Sequence, residues 1–386
     1  MSPSTPETRS TIDDVLRLRD GVGVLSVYVG IDPTAEAHAR PPWQIQLDKD
    51  VRGIRKGLRS EKDHGRRVAV DERLTVLEPQ LEDLLDATEP GRGRALFAGV
   101  ESGEVHIFHL QLELPTGATL GEVAHVLPLL RVDDGRSSAI VLLGRDTVRV
   151  LETRLGRENE LRRYDVEPVV YDRAEKKGPV SSTGRGQRSV TQRERWDRHV
   201  EAEHHRRLKA VGEELGRLAR ARGWELAVVA GDPRGTRIPA DALERAGIPT
   251  ELVDRDLIDD TAAHAHRELA PVLAAAGQRR NLALVEGALD AAAAGGRGAA
   301  GLESVLAALD ESRVERHLLD GDGPPAGAVG ADGQLTVLDG AAPPDPEFAD
   351  RLVLRARETG APTTVVAGAA GAALAGAGGI AAILRD

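Results

Sequence analysis

Trp196, Val200, His204, Leu208, Val211, Leu215 and Leu218 recur at steps of three or four residues. That period puts them on one face of a long helix. Ser189 and Gln192 have the spacing of a capping box, which predicts the helix start there. Gly223 can end it in a left-handed cap, and Glu225 to Ala230 then reads as a buried strand. A long amphipathic helix running straight into a buried strand requires an α/β layer arrangement.

The rest of the chain alternates in the same way. A short helix around Ile12 to Leu18 precedes a strand, Val24 to Val29. A helical stretch follows with Ile45, Val51, Ile54 and Leu58 on one side, then another through Val70, Leu74, Leu77, Leu81 and Leu84. Gly91 to Gly93 turns into paired strands, Ala95 to Val100 and Glu104 to Leu114. Ile140 to Leu143 and Val148 to Thr153 pair across Gly144-Arg145-Asp146. Asp232 to Gly235 reads as a turn. Further on, Leu302 to Leu309 and Phe348 to Ala356 read as helices, Val314 to Leu319 and Thr363 to Val366 as strands. Gly321 to Gly333 reads as a Gly/Pro-rich insertion. With 386 residues, the chain divides into three expected domains: 1–127, 128–275 and 276–386.

Aromatic residues are only 2% of the chain, so its cores rest on Leu, Val, Ile and Ala. No cysteine is present, which excludes disulfides, thiolate metal sites and a thiol nucleophile; a reducing cytoplasm is the expected setting. Met1 to Ser10 lacks the apolar core of a secretory signal. Val365 to Leu384 is uncharged and about the length of a spanning helix. Its Ala and Gly gain little from lipid, and a strand, a turn and a final strand are expected instead.

Charge is unevenly placed. The net charge of -11 argues against indiscriminate nucleic-acid binding. Between Asp172 and Lys209, however, eleven Lys or Arg face six Asp or Glu, a local +5, which leaves -16 for the remainder. A basic segment on an acidic body aims one face at a polyanion. Within it lies the loop Gly184-Arg185-Gly186-Gln187. Gly184 and Gly186 permit backbone shapes closed to other residues and allow close approach. Gln187 offers an amide donor and acceptor, and its N–H can help hold a water or an oxyanion. Arg185, Arg188, Arg193 and Arg195, with Lys176 and Lys177 before them, surround the loop with phosphate-seeking cations.

Thr183 to Lys209, TGRGQRSVTQRERWDRHVEAEHHRRLK, resembles the Gly-Gly-Gln loop and following helix of the archaeo-eukaryotic release-factor/Pelota family. AAGLESVLAALDESRVERHLL, ending at Leu319, and GGIAAILRD, at Gly378 to Asp386, are similar to that family's last domain. The composition suggests a bacterial branch. The resemblance implies a ribonuclease-H-like middle domain and a C-terminal α/β/α sandwich like kink-turn-binding ribosomal proteins. It implies the ribosome as partner, with rRNA and peptidyl-tRNA at the A site, and admits a translational GTPase beside it. No cofactor, metal or membrane is implied.

Carried over residue by residue, Gly186 and Gln187 match the second glycine and the glutamine, and Arg185 stands where the first catalytic glycine would be. A long cationic side chain there suits a grip on RNA better than it suits hydrolysis. Gln187, Gly186 and Gly184 remain the candidate catalytic set of a ribosome-dependent peptidyl-tRNA hydrolase. A plug that never hydrolyses uses the same residues. The first domain shows no counterpart of the stop-codon-reading motifs, which favours rescue of stalled ribosomes, or hibernation of idle ones, over termination.

Other clusters read as structural. His199, His204 and His205 do not share a helical face, and His264 and His266 diverge on theirs. Asp254, Asp256, Asp259 and Asp260 are expected to cap a helix near Leu257 rather than hold a cation. Gly231 to Gly235 lacks the Gly-Lys-Ser/Thr of a phosphate loop. The rival from another class is an acidic protein-binding scaffold that does not contact RNA, supported by the -16 outside the basic segment.

Overall fold

The computed structural model describes residues 11–31, 41–59, 63–86, 91–132, 137–154, 156–166, 187–338 and 343–385, with the backbone alone at 187–198. It is a mixed α/β structure of two compact units, Met1–Gly135 with Gln278–Asp386, and Arg136–Gly277.

The larger unit opens with α1 (Ile12–Arg17), capped by a reciprocal Thr11–Asp14 pair. Then come β1 (Val24–Gly30), α2 (Pro42–Leu58), α3 (His64–Val76), α4 (Glu78–Leu85), β2 (Gly93–Gly99), β3 (Val105–Leu110), β4 (Gly117–Gly121) and α5 (Leu127–Val132). The strands form an antiparallel sheet in the order β3-β2-β1-β4. Strand alternation sends Leu25, Val27 and Val29 to one face, where Trp43, Leu47, Val70, Leu74 and Leu84 close the core. The expected single helix through Val70 to Leu84 is divided at Leu77, and Ile45, expected on the apolar side of α2, is 54% exposed.

The smaller unit has β5 (Ser137–Leu143), β6 (Thr147–Arg154), β7 (Arg157–Asp165), α6 (Gln187–Arg222), β8 (Trp224–Gly231), α7 (Pro233–Arg245), β9 (Thr250–Val253) and the first part of α8 (Ala262–Ala293). Its sheet order is β7-β6-β5-β8-β9, antiparallel on the β7 side and parallel from β5 to β9. Ala139, Val141 and Leu143 face α6 and α7, whereas Ile140 and Leu142 face the opposite layer with Ala265 and Leu269 of α8. Two expectations change here. Asp232 caps α7 through the Arg234 amide, so Asp232 to Gly235 begins a helix rather than only turning. The helix expected near Leu257 begins at Ala262 instead, with the Thr261 hydroxyl accepting from the His264 amide.

The larger unit is completed by the end of α8, inside which the expected 275/276 boundary falls. Then follow β10 (Gly298–Ala300), α9 (Leu302–Asp310), β11 (Val314–Asp320), β12 (Gly327–Val329), β13 (Leu335–Val337), α10 (Phe348–Glu358), β14 (Thr363–Val366), α11 (Ala369–Leu374) and β15 (Ile380–Leu384). The sheet order is β10-β15-β11-β14. The expected insertion at Gly321 to Gly333 holds β12 and leads into its partner β13. Between β14 and β15 lies α11, where only a turn was expected. No helix among the described residues is long and apolar enough to cross a membrane.

Segments from both sides of the inserted unit meet within this unit around Asp350, which is 2% exposed. Its carboxylate accepts from the Val126 amide at 2.8 Å, the Leu127 amide at 3.1 Å and His125 Nδ1 at 2.6 Å. The carboxylate outweighs burial at His125, and the imidazole's pKa is raised. Tyr28 donates its hydroxyl to the His125 carbonyl.

Candidate functional site

The residues of the basic segment are arranged by α6. Gly184, Arg185 and Gly186 lie outside the described residues, as do Lys176 and Lys177. The helix begins at Gln187, two residues ahead of the expected Ser189 start. Gln and Arg are better helix formers than Ser, so the helix propagates back through Gln187 and Arg188. Arg188, Arg193 and Arg195 fall on this helix, at residues of which the structure describes the backbone alone.

The helix has 36 residues, and at about 1.5 Å per residue it runs about 54 Å. Its two halves differ. Leu208, Val211, Leu215 and Ala219 are buried against the sheet and α7. Gly212 allows α7 to come close, since a Cβ there would stand 3.0 Å from the Ala242 Cβ. From His199 to Arg207 no residue is buried. Leu208 is the first buried residue among those whose burial is described, and from it the helix continues about 30 Å to Gln187. Gln187 is at the N-terminal end of that stretch, where the helix amide N–H groups point along the axis. Those groups and the partial positive charge of the helix start suit an anionic oxygen.

The far end of α6 is fastened differently. Gly223, at φ +67°, turns the chain out of the helix as the sequence predicts. The Glu152 carboxylate on β6 accepts from Arg222 at 2.7 and 3.1 Å and from Trp224 Nε1 at 3.0 Å. Nothing in the sequence marks Glu152 as a partner of Arg222 and Trp224, although it follows Val148 and Val150 on one face of β6.

The remaining candidates settle into packing roles. Arg149, buried on β6, donates to the Ile258 and Asp260 carbonyls at 2.7 and 2.6 Å and to Glu160 at 2.7 Å. That guanidinium holds the Glu160 carboxyl below its ordinary pKa. Asp256 caps the Ile258 amide. Burial lowers the pKa of His266, whose Nε2 lies 3.1 Å from the Thr153 hydroxyl. Among the described residues no three acidic or His side chains gather as a metal site. A groove of about 560 Å³ in the larger unit includes Arg19, Arg351, Arg355, Asp310 and Glu358. Its arginines are ion-paired: Arg19 with Glu358 at 3.4 Å, Arg355 with Asp310 at 2.9 Å and Arg351 with Glu347 at 3.3 Å.

Residues 136–269 match the family described as bacterial archaeo-eukaryotic release factor family 5. No curated protein matches the sequence. Among solved structures the chain is similar to an archaeal translation termination factor, with 18% identity, 96% and 95% of the two chains covered and a TM-score of 0.23. It is similar to Pelota of Archaeoglobus fulgidus, with 16% identity, 76% and 79% covered and a TM-score of 0.30. It is also similar to a ribosome-bound archaeal Pelota, with 18% identity, 76% and 77% covered and a TM-score of 0.40. The family match stands without these likenesses. The matched region, residues 136–269, contains α6 and the strands and helix that anchor it, so the likeness to the bacterial archaeo-eukaryotic release factors lies in this domain.

Proposed function

We propose that this chain is a ribosome-directed factor whose α6 arm delivers Gly184 to Gln187 to RNA in the ribosomal A site. It acts there in rescue of stalled ribosomes or in hibernation of idle ones, with a translational GTPase as an admitted partner. The observation that supports this reading is α6 itself: it continues about 30 Å past Leu208 to Gln187, and from His199 to Arg207 it buries no residue. A helix that served only to fill a core would bury its whole length. The five-stranded sheet beneath it, a hairpin extended by two parallel strands, fits the ribonuclease-H-like reading of the middle domain.

The chemistry at the tip divides into two versions. In the hydrolase version, Gln187 orients a water on peptidyl-tRNA, with Gly184 and Gly186 shaping the loop. In the plug version, Arg185 and its neighbours Arg188, Arg193 and Arg195 hold phosphate and no bond is broken. Cosedimentation with ribosomes at rising salt tests the reading that both share. Phosphate contacts predict a steep loss between about 50 and 200 mM salt, and salt-insensitive binding or none favours the acidic scaffold. A single-turnover release assay on stalled ribosomes then separates the versions. Release by the parent that Gln187→Ala abolishes supports hydrolysis, and no release by the parent removes it.

A further inference from the structure

The arm needs a direction as well as a length. Its anchored half lies against the sheet and α7 through Leu208, Val211, Leu215 and Ala219, contacts that resist withdrawal into water and hold the crossing angle within about 15–20°. On the α7 side Gly212 and Gly216 present a smooth surface, with Ala242 as the nearest neighbour of both. Directional bonds sit at the opposite end from the tip, where Glu152 grips Arg222 on one side of Gly223 and Trp224 on the other. The Glu152 side chain is 12% exposed and Arg222 is 43% exposed, whereas Trp224 is 2% exposed, so the Trp224 bond is the screened part of this grip and the Arg222 pair its solvent-facing part.

We propose that Glu152 is a positioning residue for the α6 arm, fixing through Arg222 and Trp224 the axis along which Gln187 is presented. The geometry is that of a lever. From Leu208 to Arg222 is about 21 Å and from Leu208 to Gln187 about 31 Å. A sideways slip of about 1 Å at Arg222 therefore moves the tip about 1.5 Å the other way, and a tilt of about 10° moves it about 5 Å. Displacements of this size separate productive from unproductive presentation of a reacting or contacting group. The value of the placement rests on the reading of Gln187 as the working end, whereas the placement itself is measurable without a ribosome.

The absence of cysteine makes the measurement direct. Spin labels at Ser189→Cys and Glu244→Cys report the tip against α7, and labels at Glu213→Cys and Glu244→Cys report the anchored half. Double electron–electron resonance on the full chain is expected to give one narrow tip distance in the parent. Glu152→Ala is expected to broaden or shift it by about 3–5 Å, while the anchored pair stays unchanged. Glu152→Gln, which keeps the shape and one acceptor, and Arg222→Lys, which keeps the charge but not the fork, are expected to fall between. They carry the comparison if the alanine variant does not fold. An unmoved tip overturns the proposal. Equal broadening of both pairs also overturns it, because Glu152 then only supports the fold. Ribosome cosedimentation of the same variants is read separately. A moved tip with unaltered ribosome binding counts against the functional reading and leaves the positioning role intact.

Discussion

The two halves of α6 share one helix and one backbone hydrogen-bond ladder, yet they are subject to different demands. From Leu208 to Arg222 each turn gives a side chain to the core or to the Glu152 grip. From His199 to Arg207 charged and histidine side chains are shared between half-exposed and fully exposed positions. Glu203 pairs there only with its own helix neighbours, at 2.5 Å to Arg206 and 3.8 Å to Arg207. The difference teaches that fold stability and function can be separated along a single element. The anchored half sets whether the domain exists, and the projecting half sets what it touches.

The sharpest way to break this division is Leu215→Ala. Leu215 is fully buried, and its truncation is expected to destabilise the domain by about 2–5 kcal/mol, read as a lower urea midpoint with unchanged slope. Replacing Val200 by Ala is expected to cost less than about 1 kcal/mol; equal costs would erase the distinction. Next in size is Arg149→Leu, which leaves the Ile258 and Asp260 carbonyls without this donor and Glu160 with Arg163, and is expected to cost about 2 kcal/mol by the same measurement.

A pH series sharpens the comparison further. The pKa of His266 is lowered in the folded domain by burial, so folding favours its neutral form. The contribution is present above the unfolded value and is lost as pH falls from there through the lowered folded value. His266→Gln is expected to flatten the acid side of the stability curve, and an unchanged acid side would contradict this origin. The smallest effect belongs to the projecting half. Glu203→Ala is expected to change stability by less than about 0.5 kcal/mol, since the pairs it removes are partly exposed and local. A larger loss would mean that this part of α6 is held by something else.

The anchored half was legible because burial imposes a period. Leu208, Val211 and Leu215 announce the helix, Gly223 its end and Glu225 to Ala230 the strand behind it. The start was read two residues late, because Ser189 offers a capping side chain while backbone propensity carries the helix through Gln187. Strand β7 escaped notice for a different reason. Its sequence, RENELRRYD, is mostly polar, and a register shift between Val150 and Leu151 breaks the alternation across the ladder. An edge strand can be that polar because only one side is paired. Asp232 to Gly235 was read as a turn because Pro and Gly dominate it. Proline in the first turn of a helix is equally at home there, since its missing N–H has no partner to lose. The Glu152 grip and the Asp350 cluster could not be read at all. Each joins residues far apart in sequence through geometry that no local pattern encodes.

That last feature has a consequence for how the chain is made. His125 and Asp350 are separated by 225 residues, and the whole of Arg136–Gly277 lies between them. At roughly 5–20 residues per second of synthesis, about 10–45 s pass between their appearances. The inserted unit, contiguous in sequence, can complete its fold during that interval. The enclosing unit cannot, because the carboxylate that satisfies the amides of Val126 and Leu127 has not yet been made. Those amides must wait on the ribosome without their acceptor, so a segment synthesised 225 residues after His125 completes the unit that His125 began.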